Sequence, residues 1–308
     1  MPIRIAIIGY GKIAQDQHVP SIRANSDFDL VAVSSRRPVQ ADGLPCFPDY
    51  RAMLKALAGD LDAVVISTPP TVRREIAAET FAAGVHVLLE KPPAATLGEV
   101  ADIERLAREA GRTVYAGWHS QHAPGVEPAR RALQGKSVSS LRIVWHEDVR
   151  KWHPDQEWIW APGGFGVFDP GINALSIATR ILPVPLFVRE AALSFPENRQ
   201  TPIAARIAFA GDEGAFSADF DWRYTEGEKW TITVETVEGI TVELLDGGAR
   251  LTIDGAPQTV DEYGEYPGIY ARFAELIAAG ASELDREPLR IVADAFLVGS
   301  REQVEPFV

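Results

Sequence analysis

The chain has 308 residues, with 30 Lys and Arg against 43 Asp and Glu, a net charge of −13 and 46% hydrophobic residues. That apolar fraction excludes a disordered chain. No run approaches the ~18 unbroken apolar residues of a membrane helix, and the acidic balance argues against a general binder of nucleic acid or anionic membrane. The one cysteine, Cys46, has no internal partner, so a reducing, cytoplasmic compartment is expected. The apolar start at 3–8 contains Arg4 and runs into glycines without a small-residue cleavage site, so it does not read as a secretory leader. Residues 1–37 run against the acidic trend, with five basic and three acidic groups. If a polyanion is bound, those residues are the place to look for it. The length suits two cores.

Short β-branched runs at 3–8, 30–34, 63–67, 86–89 and 113–116 are almost continuously apolar, as strands buried on both faces are. Helix-like segments at 12–25, 50–58, 72–83 and 97–110 separate them. Thr71 is expected to cap the third segment. Thr96, with Glu99 three residues on, forms a capping box for the fourth. Gly84 and Gly111 stand where a helix terminates in a left-handed glycine. The alternation predicts βαβ units and a doubly wound parallel sheet. After residue 120 the texture changes. One helix-like stretch (125–133) is followed by strands at 140–149, 187–195, 203–210, 215–222 and 229–237, with shorter runs to 253 and turn signals at Glu238-Gly239 and Asp246-Gly247-Gly248. Two helix-like segments close the chain, at 266–279 and 289–303. The expectation is an α/β chain: a Rossmann domain at 1–120, then an α+β domain with an open, largely antiparallel sheet at 121–308, its last helix returning to the first domain. An open sheet face often takes a second subunit, so a homo-oligomer is allowed for.

The first strand runs into Gly9-Tyr10-Gly11-Lys12-Ile13-Ala14, a G-x-G-x-x-A turn opening a helix. Gly9 permits the tight turn, Gly11 lets a pyrophosphate approach the backbone, and Ala14 lets the helix pack on the sheet. The second strand ends Ser34-Ser35-Arg36-Arg37 with no carboxylate for ribose hydroxyls. Hydroxyls and a guanidinium suit a 2′-phosphate, so NADP is the expected cofactor, with NAD tolerated. The fourth strand ends Glu90-Lys91-Pro92-Pro93, at the sheet edge where ligands bind. Lys91 there can stabilise an oxyanion on a substrate hydroxyl. The expected cofactor contacts are Gly9, Gly11, Lys12, Ile13, Ser35, Arg36, Arg37, Thr68, Pro69, Glu90 and Lys91.

The glycine turn, the Glu90-Lys91-Pro92 run and the trailing antiparallel domain together resemble the Gfo/Idh/MocA oxidoreductases. Trp118-His119-Ser120, the run Glu147 to Pro154, Trp158-Ile159-Trp160 and the run Gly166 to Leu175 resemble that family's bacterial L-arabinose/D-galactose 1-dehydrogenase branch. The resemblance implies oxidation of the anomeric hydroxyl of an aldopyranose to its lactone, by hydride transfer to NADP or NAD. It implies Asp169 and Asn173 as the catalytic pair with Lys91, and a sugar site lined by His119, Glu147, Trp152, His153 and Trp158. Many relatives carry His at the position of Asn173. Asn is no base near pH 7, so the proton must pass to Asp169, to Lys91, or through both. The residues agree with this reading: five of the seven tryptophans lie between Trp118 and Trp160, and aromatic faces suit the C–H faces of pyranoses. Trp145 reads as core, and His18, His86 and His122 as satisfied core or surface residues. No His-Glu-x-x-His run or cysteine pair suggests a metal. An inositol or other polyol substrate, an imine- or biliverdin-type reductase, and a non-catalytic sugar-binding regulator stand as alternatives.

Overall fold

A computed structural model describes all residues of 1–308 except 42, 155, 213, 262 and 263. The chain divides into two units, one made of 1–119 and 266–286, the other of 120–265 and 287–308.

The first unit opens with β1 (Ile3–Ile8), whose apolar run is buried toward its C-terminal end. The glycine turn follows, then a π-helical turn at Ala14–His18 that continues into α1 (Val19–Ala24). The pattern then repeats as β2 (Phe28–Ser34), β3 (Cys46–Phe47), α2 (Tyr50–Ala56), β4 (Ala63–Ile66), α3 (Arg73–Ala82), β5 (His86–Glu90), α4 (Leu97–Ala110) and β6 (Val114–Gly117). The strands form one sheet in the order β3-β2-β1-β4-β5-β6, with every pairing parallel. Strand order reverses between β2 and β4, which puts the switch point at the C-terminal end of β1. The capping box of Thr96 and Glu99 is present, and Gly111 ends α4 at φ 62°. Thr71 does not cap α3. Pro70–Val72 instead forms a 3-10 turn, and α3 starts at Arg73 without a side-chain cap.

The second unit contains α5 (Val126–Leu133), β7 (Val138–His146), α6 (Val149–Trp152), α7 (Phe168–Ile181), β8 (Val188–Pro196), β9 (Ala204–Phe209), β10 (Phe216–Asp221), β11 (Lys229–Thr236), β12 (Thr241–Leu245), β13 (Arg250–Ile253) and β14 (Ala256–Pro257). Two helices follow, α8 (Glu265–Ala279) and α9 (Glu287–Val298), and the chain adds β15 (Ser300–Val304). The sheet order is β14-β13-β12-β11-β7-β10-β9-β8-β15. Its pairings are antiparallel except β7 with β10 and β8 with β15. Alternation is visible in β10, where Ala218 and Phe220 are buried and their neighbours are not. The long helix α7 packs on β7 and β11.

Two expectations change at the end of the chain. Residues 300–304 are a strand: α9 stops at Val298, and β15 then pairs in parallel with β8. That pairing occupies the hydrogen-bonding edge of β8, a long-range gain that helix propensity cannot report. The helix that returns to the first unit is α8, not α9. Tyr266, Ile269, Tyr270 and Phe273 of α8 join Ile5, Ile7, Val33, Val65 and Tyr115 in one core. The apolar face of α9 packs on α7 and β8 instead.

Candidate active site

In the first unit the switch-point edge is tied together by backbone. The N–H groups of Gly9 and Tyr10 donate to the Ser34 carbonyl at 3.0 and 3.3 Å, joining the turn to the end of β2. Ser67 Oγ donates to the Gly9 carbonyl at 2.6 Å. Gly9 sits at φ 95°, and a Cβ there would lie 2.9 Å from the Thr68 nitrogen, so only glycine fits. A Cβ on Gly11 would meet nothing within 4 Å, which leaves its backbone approachable. Thr68 Oγ1 is buried and has no hydrogen-bond partner among the described residues. An orphaned hydroxyl beside a glycine cradle at the switch point fits a dinucleotide. Ser35, Arg36 and Arg37 follow β2 directly, the two arginines exposed. Ser35 Oγ accepts the Arg37 N–H at 3.2 Å. Ile13 is exposed, and Lys12 pairs with Asp16 on the surface.

Glu90 ends β5 with a buried carboxylate. Its Oε1 lies 3.0 Å from His18 Nε2 and accepts the Tyr266 hydroxyl at 2.8 Å. Its Oε2 accepts the Lys91 N–H at 2.9 Å. The carboxylate only accepts, so His18 Nε2 carries a proton, while Nδ1 lies 2.7 Å from the Tyr270 hydroxyl. Burial alone would push Glu90 up. The hydrogen bond and charge of His18, with the charges of His119 and Arg73, outweigh it and hold the carboxyl at about 2. Burial pushes the Tyr270 phenol well above its usual value, and the Glu90 charge adds to this. His119 stacks on Tyr266 at 5.5 Å between ring centroids, so it belongs to the first unit.

The second unit gathers Glu147, His153 and Asp169. Asp169 lies in the first turn of α7, where the helix end favours a negative charge, and is 5% exposed. Asn173, one turn on, is half-buried on the same helix. Gly171 between them lets α7 settle on β10, since a Cβ there would press within 3.2 Å of the Phe220 ring. His153 Nε2 lies 3.7 Å from Asp169 Oδ2 and 4.0 Å from Glu147 Oε1. Glu147, 3% exposed, accepts the indole N–H of Trp222 at 3.2 Å and that of Trp230 at 2.9 Å. Trp152 is 43% exposed, donating to Glu228 at 3.2 Å and tilted against Trp230 at 5.4 Å. Trp158 is half-buried in the 3-10 turn Glu157–Trp160. Trp145 is core, stacked on Trp230 at 5.6 Å.

Residues 3–118 match the oxidoreductase family with an NAD-binding Rossmann fold. The chain is 46% identical to a galactose 1-dehydrogenase of Pseudomonas fluorescens over 312 residues, covering 99% of both proteins. The chain belongs to the Gfo/Idh/MocA oxidoreductases. Among solved structures, a D-galactose-1-dehydrogenase from Rhizobium etli superposes with a TM-score of 0.93 at 50% identity, over 100% of this chain and 98% of that one. A variant 3-ketoreductase from Actinomadura kijaniata, solved with NADP and TDP-benzene, gives a TM-score of 0.85 at 18% identity over 99% of this chain and 100% of that one, which shows a common fold.

For a Gfo/Idh/MocA chain, several side chains at these two centres were not legible in advance. His18 reads as a bland histidine, although its spacing of four from Ala14 places both on one buried face. Trp222 and Trp230 carry no local motif, and neither does Arg73. Among the described residues no group of three or more His, Cys, Asp or Glu is arranged to hold a metal ion, and no helix is long and apolar enough to cross a membrane.

Proposed function

We propose that this oxidoreductase oxidises the C1 hydroxyl of an aldopyranose of the D-galactose, L-arabinose or D-fucose type to the aldonolactone, with NADP preferred and NAD tolerated. The observation that carries the reading is the gathering of buried Asp169 and Glu147 around half-buried His153 in a tryptophan-rich surround. The full-length likeness to galactose 1-dehydrogenases supports it.

A nicotinamide held by the glycine turn would supply the acceptor for a hydride from C1. Asp169 takes the proton of the C1 hydroxyl, the step that general-base catalysis accelerates. Asn173 positions that hydroxyl by hydrogen bonding, since its amide cannot serve as the base. Lys91 stabilises the negative charge developing on the oxygen. Glu147, fixed by two indole N–H groups, and His153 accept and donate to ring hydroxyls, and Trp152 and Trp158 offer apolar faces. His119 is assigned to the substrate as well. Gly9, Gly11, Lys12, Ile13, Thr68, Pro69, Glu90 and Lys91 frame the dinucleotide. Ser35, Arg36 and Arg37 favour a 2′-phosphate through hydroxyls and a fork of fixed charge.

A spectrophotometric screen at 340 nm, with aldoses and polyols against NADP and NAD in parallel, tests this. Reduction with D-galactose, L-arabinose or D-fucose, yielding a lactone that hydrolyses to an aldonic acid, is the expected result. Turnover of inositols alone, or of no aldose, overturns it.

A further inference from the structure

Lys91 has a long, flexible side chain, and its aim depends on the backbone beneath it. The structure holds that backbone from a side chain outside the Glu90-Lys91-Pro92 run. Arg73 opens α3 and is 4% exposed. Its Nε donates to the Thr68 carbonyl at 2.8 Å. Its Nη1 donates to the carbonyls of Glu90 and Pro92, the residues on either side of Lys91. The Lys91 N–H is taken by Glu90 Oε2 at 2.9 Å, and that carboxylate is anchored in turn by His18 and Tyr266.

We propose that Arg73 is a positioning residue for Lys91, clamping the peptide carbonyls before and after it so that the ammonium group is aimed in advance. The inference rests on the role given to Lys91 above. A guanidinium suits the task because its planar fork presents several N–H groups in fixed directions. It can bind the end of β4, through Thr68, and the end of β5 at once. A lysine at the same place has one compact charge and no fork. The acceptors are carbonyls that cannot titrate, so the clamp holds at any working pH.

The test is a double-mutant cycle on the full chain with the aldose found active. Four proteins are compared with wild type: Arg73→Gln, Arg73→Lys, Lys91→Ala, and Arg73→Gln combined with Lys91→Ala. Each is read by kcat and KM for the sugar, NADP affinity by fluorescence quenching, and thermal melting. Misplacing a catalytic group by about 1 Å can cost on the order of 10²-fold. Arg73→Gln is therefore expected to lower kcat about 10- to 100-fold while the sugar KM moves less than about threefold. In the Lys91→Ala background the same change should cost less than about twofold, because the group it aims is gone. Arg73→Lys should recover part of kcat, and it replaces Arg73→Gln throughout the cycle if the glutamine variant does not fold. Equal losses in both backgrounds, or a wild-type kcat in the Arg73 variants, overturn the inference and leave the functional reading standing. A wild-type kcat in Lys91→Ala overturns the inference together with the oxyanion role given to Lys91, and leaves aldose oxidation itself standing.

Discussion

Glu90 and Glu147 are both buried carboxylates, one in each unit, and they are held by different chemistry. Glu90 is met by His18, by the Tyr266 hydroxyl and by the Lys91 backbone N–H. Glu147 is met by two indole N–H groups, with His153 at 4.0 Å, outside hydrogen-bond reach. An indole N–H only donates, whereas an imidazole can donate or accept. The contrast separates two tasks. The Glu90 cluster holds the loop that presents Lys91, and its strength depends on protonation. The Glu147 carboxylate is an acceptor held in place by two indole donors.

The largest expected effect is at neither glutamate. Asp169→Ala should lower kcat by ~10²–10⁴-fold in initial-rate assays at a fixed pH. A near-wild-type rate removes Asp169 from the chemistry. Next comes Glu90→Ala, which strands His18 and the Tyr266 hydroxyl in the core. It should destabilise the protein by roughly 3–5 kcal/mol in denaturant unfolding, since each buried polar group left unpaired costs about 1–3 kcal/mol. Its titration sharpens the comparison. Glu90 is held at about 2 in the fold against an ordinary value of 4.5. Its contribution is present above the unfolded value and is lost as pH falls from about 4.5 toward 2. Glu90→Gln should therefore flatten the acid limb of a melting-temperature profile. Trp230→Phe removes one donor from a carboxylate that keeps another, so it should change that limb less than Glu90→Gln does. It should cost about 1.5–3 kcal/mol, the worth of one hydrogen bond to a charged group. Identical acid limbs in the two variants would erase the distinction drawn here. The smallest effect is expected at exposed Arg36. Arg36→Ala should raise KM for NADP roughly tenfold and KM for NAD much less, a difference of ~1.4 kcal/mol. Equal changes would remove the assignment to a 2′-phosphate.

Legibility followed the range of the interactions. The buried run 3–8, the helix 97–110 with its capping box and the glycine turn are written in neighbouring residues, and the structure shows them there. The two-residue strand β3 is too short for any periodicity to mark. Residues 300–304 have no local strand signal and become a strand because β8 offers an edge about a hundred residues earlier. The same rule divides the candidate site. The resemblance, not the spacing, marks Asp169 and Asn173 as a pair, and α7, which carries them one turn apart, is not among the helices expected from the sequence. The bonds to Glu147 come from tryptophans 75 and 83 residues away, and the bond from His18 to Glu90 crosses 72. Arg73 reaches across 17 and 19 residues to carbonyl oxygens, which every residue carries and no side-chain motif announces.

The return of residues 266–286 to the first unit has a consequence for biosynthesis. As the polypeptide leaves the ribosome, the first 119 residues emerge with their parallel strands, but without the aromatic face of α8 that completes their core. Domains generally fold as units during synthesis, N-terminal first. Here the earlier-made unit must wait for some 150 further residues to be translated before it can close. Until then its apolar surface is open to chaperones and proteases. A gene fragment ending at the apparent domain boundary, near residue 120, would encode that waiting state and not a nucleotide-binding module.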